Sequence, residues 1–482
     1  MGGRHARQVS LDAQHFDLRM RLLSQDHDVE GLARVTITNT GDTVLRRLNF
    51  YLHPELQMRA IRDSDGKDLR FQVKLISTLF SITGNLLDIT ISRHLEPGAS
   101  ETLAFEYVGW LNPSGVTAAY QDAYSDSFYG IRPDVVFLRA LTSTLWFPSP
   151  QYDLGGMNDL ASYRLELDIP ERFQPLAFGM LVSERVENGR NRSVWETYRP
   201  VSLLDPCLFL DRWTVEEAGS FRLYYHENSQ SRQAAKIYTE VGEAFLRFFC
   251  SHYSAGLEIR DAPVRFAELN LPMGAYVGQN VIGLSQNAFA GILTADQGKR
   301  YALFSWLGHE MVHEYIRTQV AMEAKGQAVI WDGFALYFHL PCMWELFGTE
   351  FEKWDLLSRW RRYEDGLDTG RNDRGAVPRH VPLADIAIGE EYSTYKDLWL
   401  TSDKLQIILH RLQRHIVGDA AFMRAFSEYL GQHRQQPATL NDFRAALEEE
   451  SGIDLKDFFH RWFYTIERLP EEWKPYELSS VP

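Results

Sequence analysis

The sequence is short of cysteine, of net positive charge and of long apolar runs, and each shortage closes off a class of protein. Its three cysteines, Cys207, Cys250 and Cys342, are odd in number and widely spaced in 482 residues. They argue against a disulfide framework and for a reducing compartment, with the cytoplasm as the expected location. No run approaches the roughly 18 consecutive apolar residues of a membrane helix. The first ten residues, MGGRHARQVS, lead into no apolar stretch, so no secretory signal is expected. Ala6 stands where an N-myristoylation signal at Gly2 requires Ser or Thr. A formal net charge of -15 repels phosphate backbones and anionic surfaces, so neither nucleic acid nor membrane is an expected partner.

What is present reads as a multidomain α+β chain. The hydrophobic fraction of 45% and charged fraction of 24% are those of globular domains, and the length suits about three domains of ordinary size. From His15 to about Glu217, short runs rich in β-branched and aromatic residues alternate in polarity and close on turn residues. Examples are Val29 to Gly41, Leu86 to Gly98 and Ala161 to Pro170. Such runs, with no long helical stretch between them, predict packed sheets. After Phe221 to Tyr225, read as the last strand, apolar residues recur at helical spacing over Ser231 to Tyr253. Strand-like pieces follow at Pro263 to Leu269 and Val281 to Ser285, and the rest is helical to about Tyr464. The expected organisation is a tail over 1–14, a β-rich domain over 15–217 and a mostly helical domain over 218–482.

The chemistry lies on a predicted amphipathic helix over Tyr301 to Val320, which carries His309-Glu310-Met311-Val312-His313. Four residues make about one helical turn, so both imidazoles leave one face and can share a metal ion, with Glu310 beside them. A catalytic zinc wants a third protein ligand and one open position. Asp332, nineteen residues after His313 at the start of the helical run Ile330 to Tyr337, is placed to be that ligand. The competing reading is that Asp332 only caps its helix. His339 lies seven residues further, about 10 Å along a helix, so it cannot serve the same ion and is read as packing or solvent-facing. Zinc at this site would supply an acidified water, and Glu310 would be its general base in the attack on a carbonyl.

These residues resemble the M1 aminopeptidase family of gluzincins, whose pattern is H-E-x-x-H, eighteen residues, then the Glu of Asn-Glu-Gly-Phe-Ala. Here Trp331-Asp332-Gly333-Phe334-Ala335 occupies that register. The β-rich half resembles the family's N-terminal saddle domain, Trp146-Phe147-Pro148 its closing aromatic–proline segment, and Asp454 to Tyr464 the end of its thermolysin-like domain. The resemblance implies a saddle-like all-β domain followed by a thermolysin-like catalytic domain, with one zinc per chain held by His309, His313 and Asp332. It leaves no room for the helical C-terminal domain that many members add.

Three departures bear on function. Asp332 replaces a glutamate ligand and is one methylene shorter. Gly274-Ala275-Tyr276-Val277-Gly278 falls on the family's Gly-x-Met-Glu-Asn strand, so Gly274, Ala275 and Val277 become the implied substrate-binding positions. Val277 then stands where a glutamate binds the substrate's free amine. Ser402-Asp403-Lys404-Leu405 matches Tyr-x-Lys-Gly without its oxyanion-stabilising tyrosine, which leaves Tyr392 and Tyr395 as candidates and Tyr395 as the preferred one. The expected function is zinc-dependent hydrolysis of a peptide or amide, with a specificity unlike that of an ordinary aminopeptidase. The alternatives are a scaffold that has lost turnover and a zinc hydrolase of a non-peptide bond. The presence of Glu310 between the two histidines favours an enzyme.

Overall fold

A computed structural model describes residues 11–23, 28–77, 83–110, 130–131, 135–139, 146–150, 160–202, 205–253, 263–270, 275–316, 321–322, 326, 328–368, 381–386 and 400–475. The chain divides into two compact units, Met1–Arg232 with Ala262–Ala290, and Gln233–Asp261 with Gly291–Pro482.

The first unit is β-rich. Its largest sheet runs in the order Met180–Glu187, Arg190–Glu196, Leu160–Pro170, Leu11–Leu22, Asp28–Asn39, Ser100–Trp110, Leu56–Arg62. Leu11–Leu22 pairs in parallel with Leu160–Pro170, and its other neighbour is antiparallel. From Phe16 onward alternation is clean, with Phe16, Leu18 and Met20 buried, after a register shift between Ala13 and His15. Phe16 stacks on Tyr163 at 4.7 Å and meets Phe147 edge-on at 5.6 Å. Burying each such side chain contributes about 1.5–3 kcal/mol, and Trp146 and Phe147 join the same core. Two four-stranded sheets accompany it.

A fourth sheet closes this unit. Five strands lie in the order Thr214–Ala218, Phe221–Tyr225, Val264–Leu269, Val281–Ser285, Ala275–Gly278, and the two central pairings are parallel. All five residues of Val281–Ser285 are buried, as a central strand covered on both faces requires.

The second unit is mostly helical. Helix α1 (Ser229–His252) leads into it, α2 (Gln286–Gly291), nearly all of it in the first unit, leads back, and α3 (Gln297–Ile316) carries the histidine pair. The helix α3 starts four residues before the apolar pattern does, because the Asp296 carboxylate accepts from the Lys299 N–H and caps it. After it come α4 (Phe334–Phe338) and α5 (Leu340–Asp368), the latter broken at Gly348, whose φ is +75°. Phe334, Phe338, Phe422, Phe426 and Phe443 are all at most 1% exposed and form the aromatic core between these helices and those at Asp419–Gln432 and Leu440–Ser451.

Candidate metal centre

Helix α3 is pressed close to its neighbours by its own sequence. Leu303, Phe304, Leu307, Met311 and Val312 are buried along it. Gly308 lets the helix approach closely, since a Cβ there would fall 2.5 Å from Phe245 Cζ and 2.9 Å from His339 Cβ. His339 is fully buried, so it is packing and not solvent-facing. Its Nδ1 lies 2.9 Å from the Ala335 carbonyl and its Nε2 2.6 Å from Ser305 Oγ. The carbonyl can only accept, so Nδ1–H donates and the hydroxyl donates to Nε2. This neutral ring ties α3 to α4, and burial keeps its pKa well below the ordinary value.

One turn beyond Ser305 on α3 the donors converge, with the His309 ring 6.5 Å from that of His339. His309 Nε2 and His313 Nε2 are 3.1 Å apart, and Asp332 Oδ1 lies 3.4 Å from the first and 3.5 Å from the second. A tetrahedral ion with bonds of ~2.0–2.1 Å separates its donor atoms by ~3.3–3.4 Å, so the three edges fit such an ion. Glu310 Oε1 is 4.0 Å from His309 Nε2, beside the triangle instead of completing it. His309, Glu310 and His313 also offer ligand atoms within 4.8 Å of one another, but the shorter distances to Asp332 make it the better third donor. The side chains are 14%, 11%, 5% and 14% exposed for His309, Glu310, His313 and Asp332, which leaves solvent access for a water. Trp331 packs its ring 5.3 Å from that of His313, and Trp306, 41% exposed, precedes Glu310 by one turn.

Of the sequence-predicted residues, the structure brings together His309, Glu310, His313 and Asp332. Ala275 and Val277 lie in the other unit on the strand Ala275–Gly278, where Val277 is 5% exposed and registers with Ile282. Gly274, Tyr392 and Tyr395 lie outside the described residues. Sequence reasoning missed His339 as a strut and Gln406, whose Nε2 donates to the Gly333 carbonyl at 2.9 Å. No spacing rule signals either contact.

A second histidine–carboxylate cluster occupies the first unit. His226 Nε2 lies 3.1 Å from Asp211 Oδ2, and Nδ1 lies 3.1 Å from Glu268 Oε2. Asp211 and Glu268 are 5% and 1% exposed, and Glu268 also accepts from Ser231 Oγ. The contact to Asp211, and then that to Glu268, outweighs burial and raises the imidazole pKa to about 10.

Residues 266–462 match the family model described as the peptidase family M1 domain. That stretch of the chain is similar to the M1 peptidase domain. Glutamyl aminopeptidase from Bos taurus is 20% identical over 456 residues, covering 93% of this chain and 46% of that protein. Thus the chain spans about half the length of the curated relatives it matches. The fold is that of an M1 zinc metallopeptidase from Deinococcus radiodurans, with a TM-score of 0.70 at 17% identity, covering 98% of this chain and 97% of the other. A second structure of that type, bound to a Tyr-Ser-Ala substrate, matches with a TM-score of 0.69 at 17% identity over 96% of both chains.

Proposed function

We propose that this chain is a zinc-dependent peptidase of the M1 type whose single ion is held by His309, His313 and Asp332, with Glu310 as the general base. The observation that carries this is the triangle of two imidazole nitrogens and a carboxylate oxygen with edges of 3.1, 3.4 and 3.5 Å. Zinc bound there supplies an acidified water and a Lewis acid for the scissile carbonyl. Glu310 accepts the proton of the attacking water and returns it to the leaving amine. The peptide class of the substrate rests on the match of residues 266–462 to the peptidase family M1 domain and on the tripeptide bound by the Deinococcus structure.

The finer reading concerns specificity. Ala275 and Val277 are taken as substrate-binding positions, and an apolar Val277 offers no carboxylate to an ammonium group, whose burial unpaired is costly. This reading makes the enzyme a poor aminopeptidase, and a donor such as Tyr395 serves the oxyanion. The catalytic domain is taken as 218–482 after a β-rich domain over 15–217. Cys207, Cys250 and Cys342 are free thiols, which accords with a cytoplasmic setting. No helix of the described residues is long and apolar enough to cross a membrane. A loss-of-turnover scaffold is the weaker reading, because Glu310 stands beside the triangle where a general base is needed.

The test is metal analysis of the purified protein, combined with digestion of a peptide library by wild type and by Glu310→Gln. One zinc per chain and cleavage by the wild type alone are expected. Absence of stoichiometric zinc, or equal cleavage by both proteins, would overturn the reading.

A further inference from the structure

Asp332 does not sit on an ordinary helical turn. The Phe334 N–H bonds to the Val329 carbonyl five residues back, so Val329–Gly333 forms one π-helical turn before α4 resumes normal winding. Ala328, Gly333 and Phe334 all keep right-handed helical backbone angles, so the helix is widened here and not broken. Single π turns are rare, and they persist where surrounding packing supports them and function uses them.

The support is visible on every side. Ala328, Val329 and Ile330 are fully buried, and the N–H groups of Val329 and Ile330 both reach the Gly326 carbonyl. Leu405 Cδ2 occupies the place a Gly333 Cβ would take, 2.3 Å from it. One amide, Gln406 Nε2, donates to the Gly333 carbonyl at 2.9 Å and to the Thr401 carbonyl at 2.7 Å. Gln406 is 1% exposed, so those bonds have no water to replace them.

The geometry points to a positioning role: we infer that the π turn, seated on Leu405 and Gln406, sets the reach of Asp332 toward His309 and His313. This rests on Asp332 being the third metal ligand. An aspartate carboxylate hangs from a single methylene, and each further carbon would add ~1.5 Å of reach. With so short an arm, the backbone must place the oxygen. A turn closed over five residues instead of four carries its Cα atoms further from the helix axis, and the observed Oδ1 lies 3.4 and 3.5 Å from the two nitrogens. Leu405 and Gln406 act through Gly333, one residue from the ligand, and are positioning residues. Substitution at Gly333, Leu405 or Gln406 therefore changes metal affinity through the placement of Asp332 and leaves its chemistry intact.

The test measures zinc dissociation constants of the full chain by competition with a chromophoric chelator. Cobalt absorption spectra report the coordination, and circular dichroism checks the fold. Gln406→Leu and Gly333→Ala are each expected to weaken zinc binding by about 10- to 100-fold, the range found when partners that orient metal ligands are removed. In Gly333→Ala/Leu405→Val, removal of the δ-methyls should restore most of the affinity lost by Gly333→Ala. Asp332→Glu, although as good a ligand chemically, should bind zinc more weakly than wild type because the longer arm does not suit this turn. Wild-type affinity in Gln406→Leu and in Gly333→Ala, or equal or tighter binding by Asp332→Glu, would overturn the inference. If Gly333→Ala does not fold, Gln406→Leu and Asp332→Glu decide it. Asp332→Ala separates the two levels: wild-type zinc binding there would sink the ligand assignment itself, whereas lost binding beside unaffected Gln406→Leu and Gly333→Ala variants would sink only the positioning role.

Discussion

Each unit of the molecule holds a cluster of histidine and carboxylate, and the two differ in what their lone pairs face. At His226 one ring stands between two carboxylates, with Asp211 against one nitrogen and Glu268 against the other. A ring so placed is held as an imidazolium, has no lone pair to give a metal, and crosslinks the elements around it. At His309 and His313 two rings turn their Nε2 atoms toward each other and toward one Asp332 oxygen, at distances a tetrahedral ion spans. Residue type is shared by the two sites. Charge balance and direction separate a structural clamp from a candidate reaction centre.

The comparison breaks hardest at Glu310. Glu310→Gln keeps size and polarity but cannot take a proton, so turnover on a cleaved peptide should fall roughly 10²- to 10⁴-fold with zinc content unchanged. Steady-state kinetics beside metal analysis checks this, and unaltered turnover at full zinc occupancy would place the base elsewhere. Next in size are the ligands. His309→Ala, His313→Ala and Asp332→Ala should each lower zinc affinity by at least ~100-fold, because loss of a direct ligand exceeds the loss of its orienting partner. A full equivalent of zinc retained through dialysis against a chelator would count against that residue.

The clamp should respond in the opposite manner. His226→Gln leaves Asp211 and Glu268 buried without their cation and should cost about 3–5 kcal/mol of folding stability while zinc content stays at the wild-type level. Chemical denaturation and metal analysis on the same sample read both. The pH sign follows from the raised pKa: the contribution is complete below about 6.5, the ordinary histidine value, and is lost as pH rises through about 10. Wild-type stability should therefore carry a downward component of at most ~1.4 kcal/mol per pH unit in that window, and His226→Gln should lack it. Parallel profiles for the two proteins would show that His226 is not the titrating group.

Much of this contrast is written locally in the chain, and the remainder depends on distant packing. The convergence of His309 and His313 follows from a four-residue spacing on a helix, and the alternating runs mark strands such as Asp28–Asn39 and Leu160–Pro170 within a residue or two. Helix α3 begins at Gln297, ahead of its apolar pattern, because a polar cap determines its start. The π turn under Asp332 has no local signature: it is closed by Leu405 and Gln406, more than seventy residues away in sequence. His339 shows the same limit, for its partners Ser305 and Ala335 come together only when α3 packs on α4. His226 carries no local signal either, because its two carboxylates lie 15 and 42 residues from it.

The smallest expected effect concerns specificity and sharpens the contrast between a site that has its charges and one that lacks them. If Val277 replaces an amine-binding carboxylate, the wild type should leave alanyl and leucyl anilides almost uncleaved, while peptides with blocked N-termini are cut. Val277→Glu should raise the anilide rate by no more than about tenfold, a gain of ~1.4 kcal/mol in transition-state binding. The gain is capped by the protein itself. Val277 is only 5% exposed on a strand paired to the buried Val281–Ser285, so a glutamate there must be desolvated before any substrate arrives. That cost of about 1–3 kcal/mol should appear as a lower unfolding midpoint in the free variant, and a free-amine ligand should restore part of it, because an ammonium pairs the buried charge. Efficient wild-type hydrolysis of either anilide would show that another acidic residue holds the substrate amine. A destabilised Val277→Glu that no free-amine ligand stabilises would show that position 277 belongs to the core of its sheet and not to the substrate.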